Sequence, residues 1–322
     1  MIKKIGIVTS GGDAPGMNAA ISAVTRKAIS NGIEVVGILD AYKGVCESNF
    51  VPFGTKEVEG IINRGGTILG TVRMPEFSDM KLVQLGADKL KEAGIEALVV
   101  IGGDGTFRGG NDLTKVGVNC IGIPATIDND IKKTDRTIGY DTALNTCVEA
   151  IEKIKDTTIS HHRCMIVEVM GNKSGYLAIN TGIATGADII IAPETGYDED
   201  KVIEKVLELK KAGKEYVLIV ACEKFFSIPD LAKAIAEKTE YDTRYTVLGH
   251  IQRGGSPTAS DRVLATRFGE KAVSLLMEGK GGLTVTYKNG EIIALPIDEV
   301  VNAERDISEH LELMRTFNEL SK

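Results

Sequence analysis

At 322 residues, 43% of them apolar and with a mean hydropathy of +0.01, the chain is long enough for two domains and too polar for a membrane-embedded protein. A net charge of −7 argues against nucleic acid or an anionic membrane as partner, so any phosphate it holds must meet locally concentrated cations. The five cysteines (Cys46, Cys120, Cys147, Cys164, Cys222) are dispersed, lack metal-ligand spacing, and read as buried small hydrophobes in a reducing cytosol.

No apolar stretch approaches the roughly 20 residues of a membrane span, and Met1-Ile2-Lys3-Lys4 leads straight into an apolar strand, Ile2 to Val8. We therefore expect no signal peptide and a cytoplasmic location. The strand runs into Thr9-Ser10-Gly11-Gly12-Asp13-Ala14-Pro15-Gly16 and then a helix from about Met17 to Ser30. Gly11 and Gly12 can present backbone N–H groups to a phosphate, or simply make a tight turn. Val35 to Leu39 is the next strand. Asn63 to Thr67 and Gly70 to Arg73 form a glycine-rich loop with two arginines; Arg64 and Arg73 are solvated charges by default, and Arg73 is the better anion ligand because it falls in a loop.

The stretch from Leu98 to Asp130 organises the chain. Leu98 to Ile101 is too short for a helix and rich in β-branched residues, hence a buried strand. Gly102, Gly103 and Gly105 then surround Asp104, and a helix N-terminus behind them adds positive potential. Cys120 to Ile123 reads as the adjacent parallel strand and ends in Pro124-Ala125-Thr126-Ile127-Asp128-Asn129-Asp130. Open α/β sheets bind ligands at the carboxyl ends of their strands, so Asp104 and Asp128 belong on one rim. Two carboxylates there are costly unless a cation or a proton-acceptor role uses them; the alternative for Asp-Asn-Asp is a capping turn.

Gly139 to Thr157 is helical, with Leu144, Val148, Ile151 and Ile154 as its apolar stripe and Asp141 or Thr142 as its cap. Cys164 to Val169 is a strand after His161-His162-Arg163 and before Met170-Gly171-Asn172-Lys173. Ile189 to Ala192 and Tyr216 to Cys222 repeat the pattern, the latter ending at Glu223, with an amphipathic helix from Asp198 to Lys211 between them. Next, Ser256 as N-cap and Pro257 at the first helical position start a helix to about Glu278, with His250 and Arg253 in the loop ahead of it as a candidate anion site. Asn289-Gly290 marks a hairpin, and Asp306 to Leu320 is a final helix. Strand, polar rim and helix recur in both halves, which predicts two Rossmann-like three-layer α/β domains.

Four segments, Ile7 to Ala20, Ile101 to Gly105, Thr126 to Asp130 and Gly249 to Pro257, together resemble the bacterial 6-phosphofructokinases, in that family's order and spacing and across essentially the whole chain. The resemblance implies an active-site cleft between an ATP-binding domain (1–138 with 251–305) and a fructose 6-phosphate-binding domain (139–250 with 306–322). It implies a homotetramer that transfers the γ-phosphoryl of ATP to the 1-hydroxyl of fructose 6-phosphate, the glycolytic reaction. Matched position by position, Gly12, Arg73, Met74 and the turn of Gly103, Asp104, Gly105 and Thr106 hold ATP, with Asp104 carrying Mg²⁺. Asp128 is the general base, with Thr126, Asp130 and Arg73 beside it. Met170, Gly171 and Glu223 line the sugar. His250 and Arg253, with Arg163 and Arg244 reaching from a neighbouring subunit, grip the 6-phosphate. Arg26, Lys155, Gly186, Asp188 and Lys214 match an effector site for ADP or phosphoenolpyruvate.

The chain also departs from the family pattern. Asn172 stands where some members carry arginine, Met74 replaces a phenylalanine, and Ser78 an arginine. At the effector positions Ser22, Thr55, Ala212, Glu215 and Tyr216 replace cations or histidine, which predicts weak or absent regulation by ADP and phosphoenolpyruvate. A pyrophosphate-dependent enzyme is expected to carry aspartate at Gly105 and lysine at Ala125, so these residues favour ATP. An NAD or lipid kinase shares the Gly-Gly-Asp-Gly turn but does not need the His250–Arg253 loop, and a nucleotide sensor does not need a general base.

Overall fold

The computed structural model describes residues 2–320. In chain order its elements are β1 (Lys4–Ser10), α1 (Met17–Ser30), β2 (Glu34–Ile38), α2 (Ala41–Glu47), β3 (Phe50–Phe53), α3 (Met80–Glu92), β4 (Ala97–Gly102), α4 (Asp104–Lys115), β5 (Asn119–Pro124) and α5 (Tyr140–Ser160). They continue with β6 (Cys164–Val169), α6 (Tyr176–Thr185), β7 (Ile189–Ile191), α7 (Glu199–Lys211), β8 (Val217–Cys222), α8 (Ile228–Thr239), β9 (Thr243–Val247), α9 (Ala259–Met277), β10 (Leu283–Lys288), β11 (Glu291–Pro296), α10 (Ile297–Asn302) and α11 (Ser308–Leu320).

Two compact units result: the chain through Thr142 with Arg253–Arg305, and Ala143–Gln252 with the chain from Asp306. The first crossing lies inside α5 because that helix's first turn is bonded within the first unit. Thr142 N–H donates to Asp261 Oδ2 at 2.8 Å, and Thr258 Oγ1 to Asp141 Oδ2 at 2.6 Å. Asp141 and Thr142 are thus helical residues holding the start of α9 rather than caps of α5. The cap of α9 also differs from expectation. Thr258, not Ser256, accepts the N–H of Asp261, and Ser256 instead donates its hydroxyl to the Asn63 carbonyl at 2.7 Å.

The first unit holds a seven-stranded sheet in the order β11-β10-β5-β4-β1-β2-β3, parallel through its centre, with antiparallel edges at β3 and β11. Its central strands are apolar on both faces, as a sheet covered on both sides requires. On one face Val8, Leu98 and Val100 pack with Tyr42, Leu90, Phe107 and Val300 from α2, α3, α4 and α10; α1 and α9 pack together on the other. Burying a side chain such as Phe107 contributes on the order of 1.5–3 kcal/mol.

The second unit holds an all-parallel sheet, β7-β8-β6-β9. Cys164, Ile166, Val217 and Ile219 pack against Val206 of α7 and Leu231 and Ile235 of α8. The α6 helix packs against β6, β7 and β8. No described helix is long and apolar enough to cross a membrane. Cys120, Cys147, Cys164 and Cys222 are buried free thiols, and Cys46 is partly buried.

Candidate active site

In the first unit β4 and β5 are adjacent and parallel, with Gly102 level with Pro124, so the segments leaving them share one rim. Gly102 is required there. A Cβ would fall 2.3 Å from Thr106 Oγ1 and 2.4 Å from Ser10 O. That close approach lets the Thr106 hydroxyl donate to Ser10 O at 2.9 Å, locking the start of α4 to the end of β1. The buried Thr106 hydroxyl is therefore structural, while Gly103, the N-cap, offers no side-chain acceptor to the first N–H groups of α4. The first N–H groups of a helix have no acceptor within it and can serve an anion. Gly105 has open space where a Cβ would be.

Asp104 opens α4 and is half-buried. Arg108 Nε lies 2.8 Å from its Oδ2, and Lys132 Nζ 3.0 Å from its Oδ1. Burial alone would push this carboxyl up, but the hydrogen bonds from Arg108 and Lys132 win and hold it below the ordinary carboxylate range. On the neighbouring strand end, Asp128 N–H donates to Thr126 Oγ1 at 3.2 Å. Asn129, in left-handed backbone at φ 48°, pins the loop: its Oδ1 accepts from Thr137 N at 2.8 Å, and its Nδ2 donates to Asp135 O at 3.0 Å. Burial first, and then nearby Asp104, push the Asp130 carboxyl up.

At the end of β1, the Gly12 position faces the Arg253 guanidinium; a Cβ at Gly12 would come within 2.9 Å of Nη1. Arg253 also lies 3.8 Å from Asp13. Thr71 Oγ1 donates to Gly11 O at 2.7 Å, which brings the exposed Arg73 loop to the same turn. Met74 is partly buried against the core formed by α2, α3 and α4.

In the second unit, Met170 N–H donates to Gln252 Oε1 at 3.0 Å, and the Cys147 thiol donates to the same oxygen, also at 3.0 Å. Burial pushes that thiol up to about 12, so it stays protonated as a donor. Gln252, fully buried, donates in turn to Gly249 O at 2.9 Å and so fixes the turn that exposes His250. Gly171 is needed because a Cβ would meet Ser174 O at 2.3 Å. Asn172 N–H donates to Glu223 Oε1 at 3.1 Å, joining the Met170–Gly171 loop to the end of β8.

Arg163 and Arg244 are brought together by the register of β6 and β9 and share one carboxylate. Asp242 accepts Arg163 Nε at 2.6 Å and Arg244 Nη2 at 3.0 Å, and the Arg163 hydrogen bond chiefly holds its carboxyl low. Among the remaining candidates, Lys155 Nζ donates to Thr185 O at 2.7 Å beside Gly186, which ends α6 in left-handed backbone. Asp188 is buried, pairs with Lys214, and accepts the Leu218 N–H at 2.9 Å. Arg26 is exposed on α1, and Glu215 lies 3.7 Å from His162 Nδ1.

Sequence reasoning passed over Lys132, Arg108, Asn129, Asp242 and Gln252. For Asn129 and Gln252 a signal existed, since each lies inside a quoted motif. Lys132 and Asp242 meet their partners only through the fold, 28 and 79 residues away.

A flanked parallel sheet with carboxylates and bare helix N–H groups beyond its strand ends makes this an α/β protein of the kind that binds ligands at the carboxyl edge. Residues 4–276 match the family model described as PFK: Phosphofructokinase. The chain belongs to the phosphofructokinase family and is an enzyme of it. It is 49% identical over 320 residues to the ATP-dependent 6-phosphofructokinase of Bacillus cytotoxicus, covering 99% of this chain and 100% of that one. Against the ATP-dependent 6-phosphofructokinase 1 of Clostridium perfringens it is 51% identical over 310 residues, 96% and 97% of the two chains. The solved phosphofructokinase of Saccharomyces cerevisiae superposes with a TM-score of 0.90 at 33% identity. That match covers 98% of this chain and 50% of the yeast chain, so this chain spans half its length.

Proposed function

We propose that the protein transfers the γ-phosphoryl of ATP to the 1-hydroxyl of D-fructose 6-phosphate, giving fructose 1,6-bisphosphate in glycolysis. The observation that carries this is the pairing of Asp104 and Asp128 on adjoining strand ends, beside the uncapped N-terminus of α4. The printed names of the bacterial relatives support the same reaction.

A sugar hydroxyl is a weak nucleophile. Asp128 accepts its proton as bonding to phosphorus develops, an effect worth about 10²–10⁴ in rate. Thr126 orders the loop through its bond to the Asp128 N–H. Gly12, Met74 and the turn from Gly103 to Thr106 hold the nucleotide, and Arg73 neutralises charge on the transferring group. No group of three or more metal-ligating side chains lies among the described residues. A lone ionised carboxylate, Asp104, with Asp130 nearby suits Mg²⁺, which keeps waters and shares phosphate oxygens. When bound, Mg²⁺ would neutralise phosphate charge.

In this reading the first unit binds ATP and the second the sugar phosphate. Met170, Gly171 and Glu223 contact the sugar. His250, Arg253, Arg163 and Arg244 bind the 6-phosphate, the last two from a neighbouring subunit of a cytoplasmic homotetramer. Arginine's planar fork suits that dianion. Gly105 and Ala125 favour ATP over pyrophosphate, because the open space at Gly105 leaves room for a nucleotide phosphate. Arg26, Lys155, Gly186, Asp188 and Lys214 form a weak effector site for ADP or phosphoenolpyruvate. A coupled assay with fructose 6-phosphate and either ATP or pyrophosphate tests the reaction: turnover is expected with ATP, and turnover with pyrophosphate alone overturns it.

A further inference from the structure

Both oxygens of Asp104 carry a cation, but the two cations are not alike. Arg108 sits one helical turn along α4 with 54% of its side chain exposed, and an i,i+4 pair of this sort is ordinary helix chemistry. Lys132 is delivered by the loop that carries Asp128 and Asp130, and only 20% of its side chain is exposed. Burying most of an ammonium costs free energy unless a carboxylate compensates it. Here Asp104 does so, by direct contact at 3.0 Å.

The inference rests on Asp104 being the ligand of a divalent cation. Mg²⁺ takes a carboxylate oxygen at about 2.1 Å. An ammonium 3.0 Å from that oxygen would then face a double positive charge at close range, so one of the two must leave. Lysine is suited to leave, because its head is a compact point charge on a flexible four-carbon stem.

We propose that Lys132 is a displaceable counter-ion: it occupies Asp104 in the nucleotide-free protein, disfavours a bare divalent cation there, and turns onto a nucleotide phosphate when the cation arrives with the nucleotide. Charge balances at each stage. Before binding, the ammonium compensates the carboxylate; afterwards the metal does, and the ammonium compensates a phosphate oxygen. A bare cation offers the displaced lysine no such partner. The metal therefore enters as its nucleotide complex rather than ahead of it.

Electron paramagnetic resonance of Mn²⁺ titrated into the whole protein, without sugar phosphate, reads this directly. Lys132→Met should bind Mn²⁺ alone at least about tenfold more tightly than the unaltered protein, and Mn²⁺ with ATP about tenfold more weakly. Lys132→Gln should follow the same two directions, and thermal melting checks that both variants are folded. Unchanged or weakened binding of Mn²⁺ alone in folded variants overturns the proposal. Asp104→Asn separates the two layers. If it leaves Mn²⁺–ATP affinity unchanged, the reading of Asp104 as ligand fails. If it weakens that affinity while Lys132→Met does not tighten Mn²⁺ alone, the counter-ion role alone fails.

Discussion

The two units each hold a carboxylate between two cations and use it in opposite senses. In the first unit Asp104 lies between Arg108 and Lys132, at 2.8 and 3.0 Å. In the second, Asp242 lies between Arg163 and Arg244, at 2.6 and 3.0 Å. At the first site the carboxylate carries the proposed function and the cations compensate its charge. At the second the arginines carry it, and the carboxylate holds the two side by side. Position in the fold separates them. Asp104 starts a helix at a strand end, where the proposed nucleotide site lies, whereas Asp242 precedes an edge strand and is 44% exposed. An exposed, screened carboxylate is a weak competitor for arginines against a dianion.

The largest effect that can break this contrast lies beside Asp104. Asp128→Ser should lower kcat by about 10²–10⁴ while leaving substrate binding nearly intact. Retention of more than about a tenth of the turnover, measured by the coupled assay, would remove the base from the account.

The second site predicts a smaller, substrate-selective loss. Arg163→Ser and Arg244→Ser should each raise KM for fructose 6-phosphate by an amount matching roughly 1.5–3 kcal/mol and leave KM for ATP little changed. If both arginines act from a neighbouring subunit, subunits of the two single variants exchanged into mixed assemblies should regain some activity. Equal damage to both substrates' KM values would contradict the placement.

The smallest effect concerns regulation. Lys214 is already paired with buried Asp188, and Glu215 adds a carboxylate beside it. Saturation curves for fructose 6-phosphate should therefore shift by less than about tenfold with ADP or phosphoenolpyruvate, since couplings of only ~1–3 kcal/mol are easily erased. A larger shift of half-saturation would show a working effector site.

Much of this was legible in the sequence for a physical reason. The strands β4 and β5 are buried on both faces, so Leu98 to Ile101 and Cys120 to Ile123 read as unbroken apolar runs. The rim follows, because what comes after such a strand is Gly-Gly-Asp-Gly in one case and Thr-Ile-Asp-Asn-Asp in the other. Strand β9 was not legible: Thr243–Val247 is an edge with mostly exposed residues and no apolar run. Nor were the counter-charges. Lys132 and Asp242 are ordinary surface residues in sequence, and only the sheet registers place them against Asp104 and Arg163. The start of α9 misled because serine is by type a better cap than threonine, but the Asn63 carbonyl claims the Ser256 hydroxyl and leaves the cap to Thr258.

The most direct test compares the two carboxylates in one experiment, measuring kcat and both KM values for Asp104→Asn and Asp242→Asn. Asp104→Asn should lower kcat by about 10²-fold or more, as loss of a group that stabilises transferring charge does. Asp242→Asn should keep kcat and change only KM for fructose 6-phosphate, by a few-fold at most, as loss of an exposed ion pair does. Identical kinetic consequences at the two positions, or a kcat loss confined to Asp242→Asn, would contradict the assignment of opposite roles.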